Sequence, residues 1–164
     1  MIFVTVGMHE QPFNRLVKYM DDWALEHDEE VIIQTGYCTY KPKAARWKKV
    51  FTHHEILNEI QKARIVVSHG GPASFIPSLE EGKIPIVVPR KKSYREHVNN
   101  HQVDFCRQIA KEQGNVIVVE DVNMLNDIID QYYDIVAGMK CEMISNNKKF
   151  CAEFETIVND LVKK

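Results

Sequence analysis

Apolar residues along this chain fall into short unbroken runs that alternate with longer stretches of helical spacing. The runs cover residues 2–6, 31–34, 64–68, 85–89 and 116–119 and are rich in Val and Ile. Unbroken β-branched runs, as opposed to apolar/polar alternation, mark strands covered on both faces, which is the condition of a parallel sheet. Val50-Phe51 is a further short candidate strand, and residues 35–49 read as a loop. Between the runs, Phe13, Leu16, Val17 and Met20 predict a helix over 12–25, and Ile56, Leu57 and Ile60 one from His53 onward with Thr52 as its cap. Helices are also predicted over 73–81, closed by Gly82, over 96–112, and from Met124 to about Tyr132. Strand–helix alternation of this kind builds right-handed crossovers. The expected fold is therefore α/β, a Rossmann-like doubly wound parallel sheet of about six strands forming one domain over 1–164. The tail, 147–164, carries an apolar stripe of Phe150, Phe154, Ile157, Val158 and Leu161. It is expected to pack on the domain's own sheet, with docking on a partner as the alternative.

Composition narrows the class. The chain has 164 residues, 45% hydrophobic and 27% charged, with a net charge of −2. A charge so near balance gives no global pull toward nucleic acid. Two local basic clusters stand out: Lys41, Lys43, Arg46, Lys48 and Lys49, read as a solvated loop, and Arg90, Lys91, Lys92 and Arg95 beside a polar motif. Cys38, Cys106, Cys141 and Cys151 fit no zinc spacing and point to buried thiols in a reducing compartment. With no secretory pattern at the start and no long apolar run, the expected location is cytoplasmic.

Candidate chemistry clusters where a parallel sheet binds ligands, at the carboxyl ends of its strands. The foremost stretch is Ile65 to Ser74, in which an apolar strand runs into Ser68-His69-Gly70-Gly71-Pro72-Ala73-Ser74 and then a helix. A helix N-terminus carries unpaired N–H groups and partial positive charge, so this turn is a candidate anion site. Ala73 and Ser74 would present N–H groups, Ser74 a hydroxyl, and His69 a donor to an oxyanion. Gly7, His9, Glu10 and Gln11 follow the first strand without forming a dinucleotide fingerprint. Tyr94 to Gln102 gathers polar groups at an expected helix start, including Glu96, His97, Asn100 and His101. His97 and His101 have the spacing of a metal pair but no evident third ligand, so metal-dependent hydrolysis is a minor alternative.

Together, His69-Gly70-Gly71-x-x-Ser74, Gly82-x-x-Pro85, Pro89 and the Glu96-His97 to His101-Gln102 segment resemble the C-terminal, nucleotide-sugar-binding half of GT-B (family 28) glycosyltransferases. The opening Val4-Thr5-Val6-Gly7-x-His9-Glu10-Gln11-Pro12-Phe13 resembles the stand-alone half-enzymes of the Alg13 and PssE type. The resemblance reaches to about residue 122. It implies a GT-B half-domain that binds a UDP-sugar as donor substrate, without a metal, and transfers a hexose (galactose or glucose over N-acetylglucosamine) in exopolysaccharide or capsule synthesis. It implies that His69, Gly70, Gly71, Ala73 and Ser74 hold the diphosphate with Gly7, His9 and Gln11. Glu96 and His97 would contact sugar hydroxyls, Asn100 would lie beyond them, and Phe51 and Thr52 would meet the uracil. His69, Glu96 and His97 are then the catalytic candidates. Pro77 stands where many relatives carry a ribose-binding glutamate. The implied partners are a membrane-anchored, acceptor-binding subunit of the Alg14/PssD type, which would recruit the chain to the inner face of the membrane, and a lipid-linked glycan acceptor. A non-catalytic nucleotide-sugar-binding or regulatory module is the competing expectation.

Overall fold

A computed structural model describes residues 1–139 and 147–162. Its centre is one sheet of six parallel strands in the order β3-β2-β1-β4-β5-β6. The strands are β1 (Ile2–Thr5), β2 (Val31–Gln34), β3 (Arg46–Lys48), β4 (Ile65–His69), β5 (Ile86–Val88) and β6 (Ile117–Val118). The helices are α1 (Asn14–Glu26), α2 (His53–Lys62), α3 (Pro72–Glu80), α4 (His101–Glu112), α5 (Leu125–Asp130), α6 (Tyr132–Gly138) and α7 (Asn147–Val162). Strand order reverses between β1 and β4, so the crevice that such a sheet offers a ligand lies beyond Thr5 and His69.

Side chains of each inner strand divide between two cores. Ile2, Val4, Ile33, Val67 and Ile86 pack with Leu16, Met20 and Trp23 of α1 and with Leu125 and Ile129 of α5. Phe3, Ile32 and Val66 face Ile60 of α2, while Val87 faces Phe75 of α3 and Cys106 of α4. Burial on both faces is the reason these strands read as continuous apolar runs. Helix α2 starts where expected. Thr52 accepts from the Glu55 amide, and Glu55 accepts from the Thr52 amide, a reciprocal capping box. Gly82 closes α3 in the left-handed region (φ +71°), one residue past the C-cap Glu81.

Four expectations need correction. The third strand is Arg46–Lys48, not Val50-Phe51. It is a sheet edge with all three residues exposed, so no apolar run announces it. Helix α4 begins at His101, five residues later than the expected 96, because the preceding segment is tied down by tertiary bonds described below. The tail is helical, but Phe154, Ile157 and Val158 are exposed rather than packed on the sheet. The side chains of Phe150 and Leu161, like residues 163–164, lie outside what is described. Of the thiols expected to be buried, Cys106 is, Cys38 is half-buried and Cys151 is exposed, while Cys141 lies outside the described residues. Among the described residues no helix is long and apolar enough to cross a membrane.

Candidate functional site

The turn after β4 is organised by the His69 imidazole. Its Nδ1 accepts the Gly71 N–H at 3.0 Å, so in the neutral ring Nε2 carries the proton. Nε2–H then donates to Ser74 Oγ at 2.8 Å. Burial, with the charge of Arg90 adding to it, lowers the His69 pKa from 6.5 to about 4, so the neutral ring holds at physiological pH. Its two nitrogens are thus both engaged within the turn. The expectation that His69 donates to an oxyanion directly is corrected: it positions Ser74, whose own hydroxyl proton is left for a ligand.

Two glycines make room for this ring. A Cβ at Gly71 would stand 2.3 Å from His69 Cε1, and one at Gly7 would stand 2.4 Å from Nε2. Gly7 is also left-handed, with φ +68°. The turns after β1 and β4 therefore both close on one imidazole, which accounts for Gly7 in a way that its sequence neighbours did not reveal. Gly70 is also closely packed, since its Cβ would meet Cys106 Sγ at 2.8 Å. Among first-turn amides, Ser74 N–H donates to the Gly71 carbonyl, so the Ser74 amide expected at the ligand is used up and that of Ala73 remains.

A cavity of about 210 Å³ opens beside this turn, lined by Thr5, Gly7, Gln34, His53, Ala73, Ser74 and Pro77, among others. It gathers Gly7, Ala73 and Ser74 as expected and adds His53, the first residue of α2, and buried Gln34, whose Oε1 accepts from Thr5 Oγ1. Thr52 and Phe51 stand one and two residues outside this lining. Phe51 packs edge-on against Phe3, and the Thr52 side chain is spent on its capping box. Pro77, flagged for lacking a carboxylate, does face this cavity.

A second lobe is formed by His9, His97 and His101, whose rings follow one another at 4.7 and 4.4 Å between centroids. His9 Nδ1 accepts from the Gln11 amide. Desolvation lowers the pKa of both His9 and His97; for His9 the charge of Arg90 adds to it, and for His97 the nearby His101 and His9. Asn100 Oδ1 accepts from the Lys92 amide, which leaves its NH₂ group. Gln11 Oε1 is buried and has no hydrogen-bond partner among the described residues. Three histidines meet here, yet among the described residues no group of His, Cys, Asp or Glu is arranged to hold a metal ion.

Glu96 does not join them. It is 3% exposed, and its carboxylate receives Arg15 Nε and Nη2, both at 3.0 Å, as well as the Lys91 amide at 3.0 Å. A carboxylate so fully used holds the chain; it is not offered to a sugar, and its expected place in the site is corrected. Arg90, grouped in the sequence with Lys91, Lys92 and Arg95 beside the polar motif, is 1% exposed. Its guanidinium donates to the Val6, Gln11 and Glu96 carbonyls at 2.7, 2.6 and 3.2 Å and lies 4.8 Å over the Phe13 ring. It thus pins the turn after β1 from beneath and places fixed positive charge under the site.

Comparison with known proteins adds to this geometry. Residues 1–161 match the family described as the glycosyltransferase family 28 C-terminal domain. The UDP-N-acetylglucosamine transferase subunit ALG13 of Mus musculus is 33% identical over 122 residues, 67% of this chain and 10% of the relative. Its Homo sapiens counterpart is 36% identical over 87 residues, 50% of this chain and 7% of the relative. The Yarrowia lipolytica subunit of the same name is 24% identical over 130 residues, 69% of this chain and 62% of the relative. The chain thus spans a tenth or less of the mouse and human relatives and under two thirds of the yeast one. Among solved structures, the glycotransferase of kitacinnamycin superposes with a TM-score of 0.55 at 14% identity, covering 85% of this chain and 35% of that one. SnogD from Streptomyces nogalater gives 0.50 at 15% identity, covering 92% and 43%. These two likenesses show the fold, a GT-B-type Rossmann-like half.

Proposed function

The chain belongs to the glycosyltransferase family 28 C-terminal domain family, and we propose from that premise that it is the donor-binding subunit of a two-component glycosyltransferase of the Alg13 type. A UDP-sugar is the donor, a lipid-linked glycan the acceptor, and a membrane-anchored subunit of the Alg14/PssD type supplies the acceptor side. The observation that carries this reading is the turn at His69–Ser74, where a neutral histidine aims a serine hydroxyl beside a helix N-terminus at the strand-order switch.

The chemistry follows from where charge develops. As the acceptor hydroxyl attacks the anomeric carbon, the bond to the diphosphate breaks and negative charge grows on the leaving β-phosphate. The Ala73 amide, the Ser74 hydroxyl and the α3 dipole meet that charge, with Arg90 behind them. Because these donors are held in place before the ligand arrives, no metal is required for the step, and activity should survive a chelator. The general base comes from the partner subunit, since the groups in this turn serve the leaving group. On the sugar, the sequence favoured galactose or glucose in exopolysaccharide or capsule synthesis. The three relatives are N-acetylglucosamine transferase subunits by name, and we place UDP-N-acetylglucosamine first.

The test is transfer by the chain co-expressed with its membrane subunit, offered UDP-N-acetylglucosamine, UDP-glucose and UDP-galactose in turn. N-acetylglucosamine transfer is the expected result. Ser74→Ala should weaken UDP binding about tenfold, the worth of one charge-assisted hydrogen bond. Unchanged affinity would remove the turn from the diphosphate site, and no transfer with any of the three donors would remove the reading itself.

A further inference from the structure

The second feature of this molecule lies at the sheet edge, outside the nucleotide cavity. Residues 35–54 contain five Lys or Arg and no Asp or Glu. Two of these cations are committed: Arg46 pairs with Glu30 and Lys48 with Glu55. Lys41, Lys43 and Lys49 have no carboxylate partner among the described residues; Lys49 lies 5.1 Å from the centroid of the Tyr37 ring. Nearby acids are already used. Asp21 is buried, accepting from the Tyr40 hydroxyl and from the amides of Lys43, Ala44 and Ala45, and Asp22 pairs with Lys18. Among these lysines stand large exposed side chains, Tyr37 (48% exposed), Trp47 (43%) and Val50 (44%). Tyr37, Tyr40, Lys41, Trp47 and Lys49 line a cleft of about 230 Å³.

From this we infer that the β3 edge is a contact surface for an anionic membrane, with lipid phosphate groups at Lys41, Lys43 and Lys49 and the Trp47 and Tyr37 rings at headgroup depth. The combination is what such an interface takes: lysines gain from the negative surface potential, and amphipathic rings settle at the boundary of water and hydrocarbon. The three lysines weigh against a protein occupant, since lysine is depleted at protein interfaces. The surface is already formed. Asp21 holds residues 43–45, and Asn14 Oδ1 accepts from the Thr39 and Tyr40 amides, so the lipid need not order a loop. It is also placed to matter. Gly36 lies against the Gly7 carbonyl, where an added Cβ would come within 2.3 Å, so the patch abuts the first turn of the nucleotide site. A membrane at β3 would bring that site to the bilayer surface.

The experiment is flotation of the purified chain with vesicles of phosphatidylcholine alone and with about one third phosphatidylglycerol. The chain should float with the anionic vesicles only, less so at high salt, with a blue shift in Trp47 emission. Replacing Lys41, Lys43 and Lys49 together by Gln should weaken binding about 100-fold, at roughly fivefold per lysine. Lys92→Gln, in the other basic cluster, should leave it unchanged. A thermal midpoint equal to that of the wild type shows that the triple variant is folded, and Lys49→Gln alone provides a milder step. The inference is overturned if the wild type ignores anionic vesicles, if the triple variant floats as well as the wild type, or if flotation requires a protein embedded in the bilayer, which would make the patch a protein-docking face. None of these readouts depends on transferase activity.

Discussion

Replacing His69 with asparagine should change how the fold responds to acid. In the unfolded chain the imidazole titrates at its ordinary 6.5, and in the folded protein at about 4. As pH falls, the unfolded state therefore takes up the proton first. The contribution of this histidine is fully present above 6.5 and disappears as pH approaches 4. The gap is worth about 3 kcal/mol, most of which is gone by about pH 4.5. Other groups titrate over the same range, so the informative quantity is the stability of the wild type minus that of His69→Asn. The variant is expected to be less stable at neutral pH, because Ser74 Oγ loses its Nε2–H partner and the ring no longer fills the space beside Gly7 and Gly71, at a cost of about 1–3 kcal/mol. That deficit should shrink on acidification. Urea unfolding at about pH 7.5 and about pH 4.5 measures both values. A difference that does not move with pH would refute the assignment of a neutral, enclosed ring, as would a nitrogen NMR titration of His69 near 6.5.

Gly7→Ala should cost at least about 2 kcal/mol, from the left-handed backbone and a Cβ 2.4 Å from His69 Nε2; a thermal midpoint equal to the wild type would contradict the close fit of the two turns. Arg15→Ala leaves the Glu96 carboxylate buried without its ion pair and should cost about 3–5 kcal/mol, a figure urea unfolding can check. Adding Glu96→Gln to that variant should recover part of the loss, and no recovery would mean that Arg15 acts through packing on Phe13 and Tyr94 instead.

What could be read before folding was whatever depends on local pattern. β1, β4 and β5 announce themselves because strands buried on both faces need unbroken apolar runs, and Thr52 announces α2 because a capping box is a matter of residues three apart. β3 was missed because Arg-Trp-Lys at a sheet edge is chosen for its solvent side, and only backbone pairing to β2 makes it a strand. The segment from Glu96 to Asn100 reads as the start of α4 because Val98 falls in helical phase with Phe105 and Ile109. Its course is set by bonds to Arg15 and Arg90, which come from 81 and 6 residues away. Arg90 itself was unreadable for the same reason. A charged residue among lysines is by default at the surface, and nothing local shows that three carbonyls wait for it. For the site, the glycines and Ser74 were legible as a turn. That the glycines serve to admit an imidazole was not, because the distance that matters is between residues 7 and 69.

The charge arrangement beneath the site is set by buried groups of the fold itself. Arg15 and Arg90 are two guanidinium groups near a single carboxylate, Glu96, and that carboxylate is bonded to Arg15 while Arg90 rests on its backbone carbonyl. Net positive charge therefore remains under the turn after β1. Desolvation makes that charge costly, and it lowers the pKa of Arg90 itself as well as those of His9 and His69. Neutral histidines are thus a consequence of the buried arginine and of their own burial together. The result is a surface on which positive potential comes from a fixed buried group and hydrogen bonds come from neutral donors. Under the proposed function, such a surface would meet an anion with groups already in position. In the transfer proposed above, a site of that kind would lose little to reorganisation as charge shifts onto the leaving phosphate.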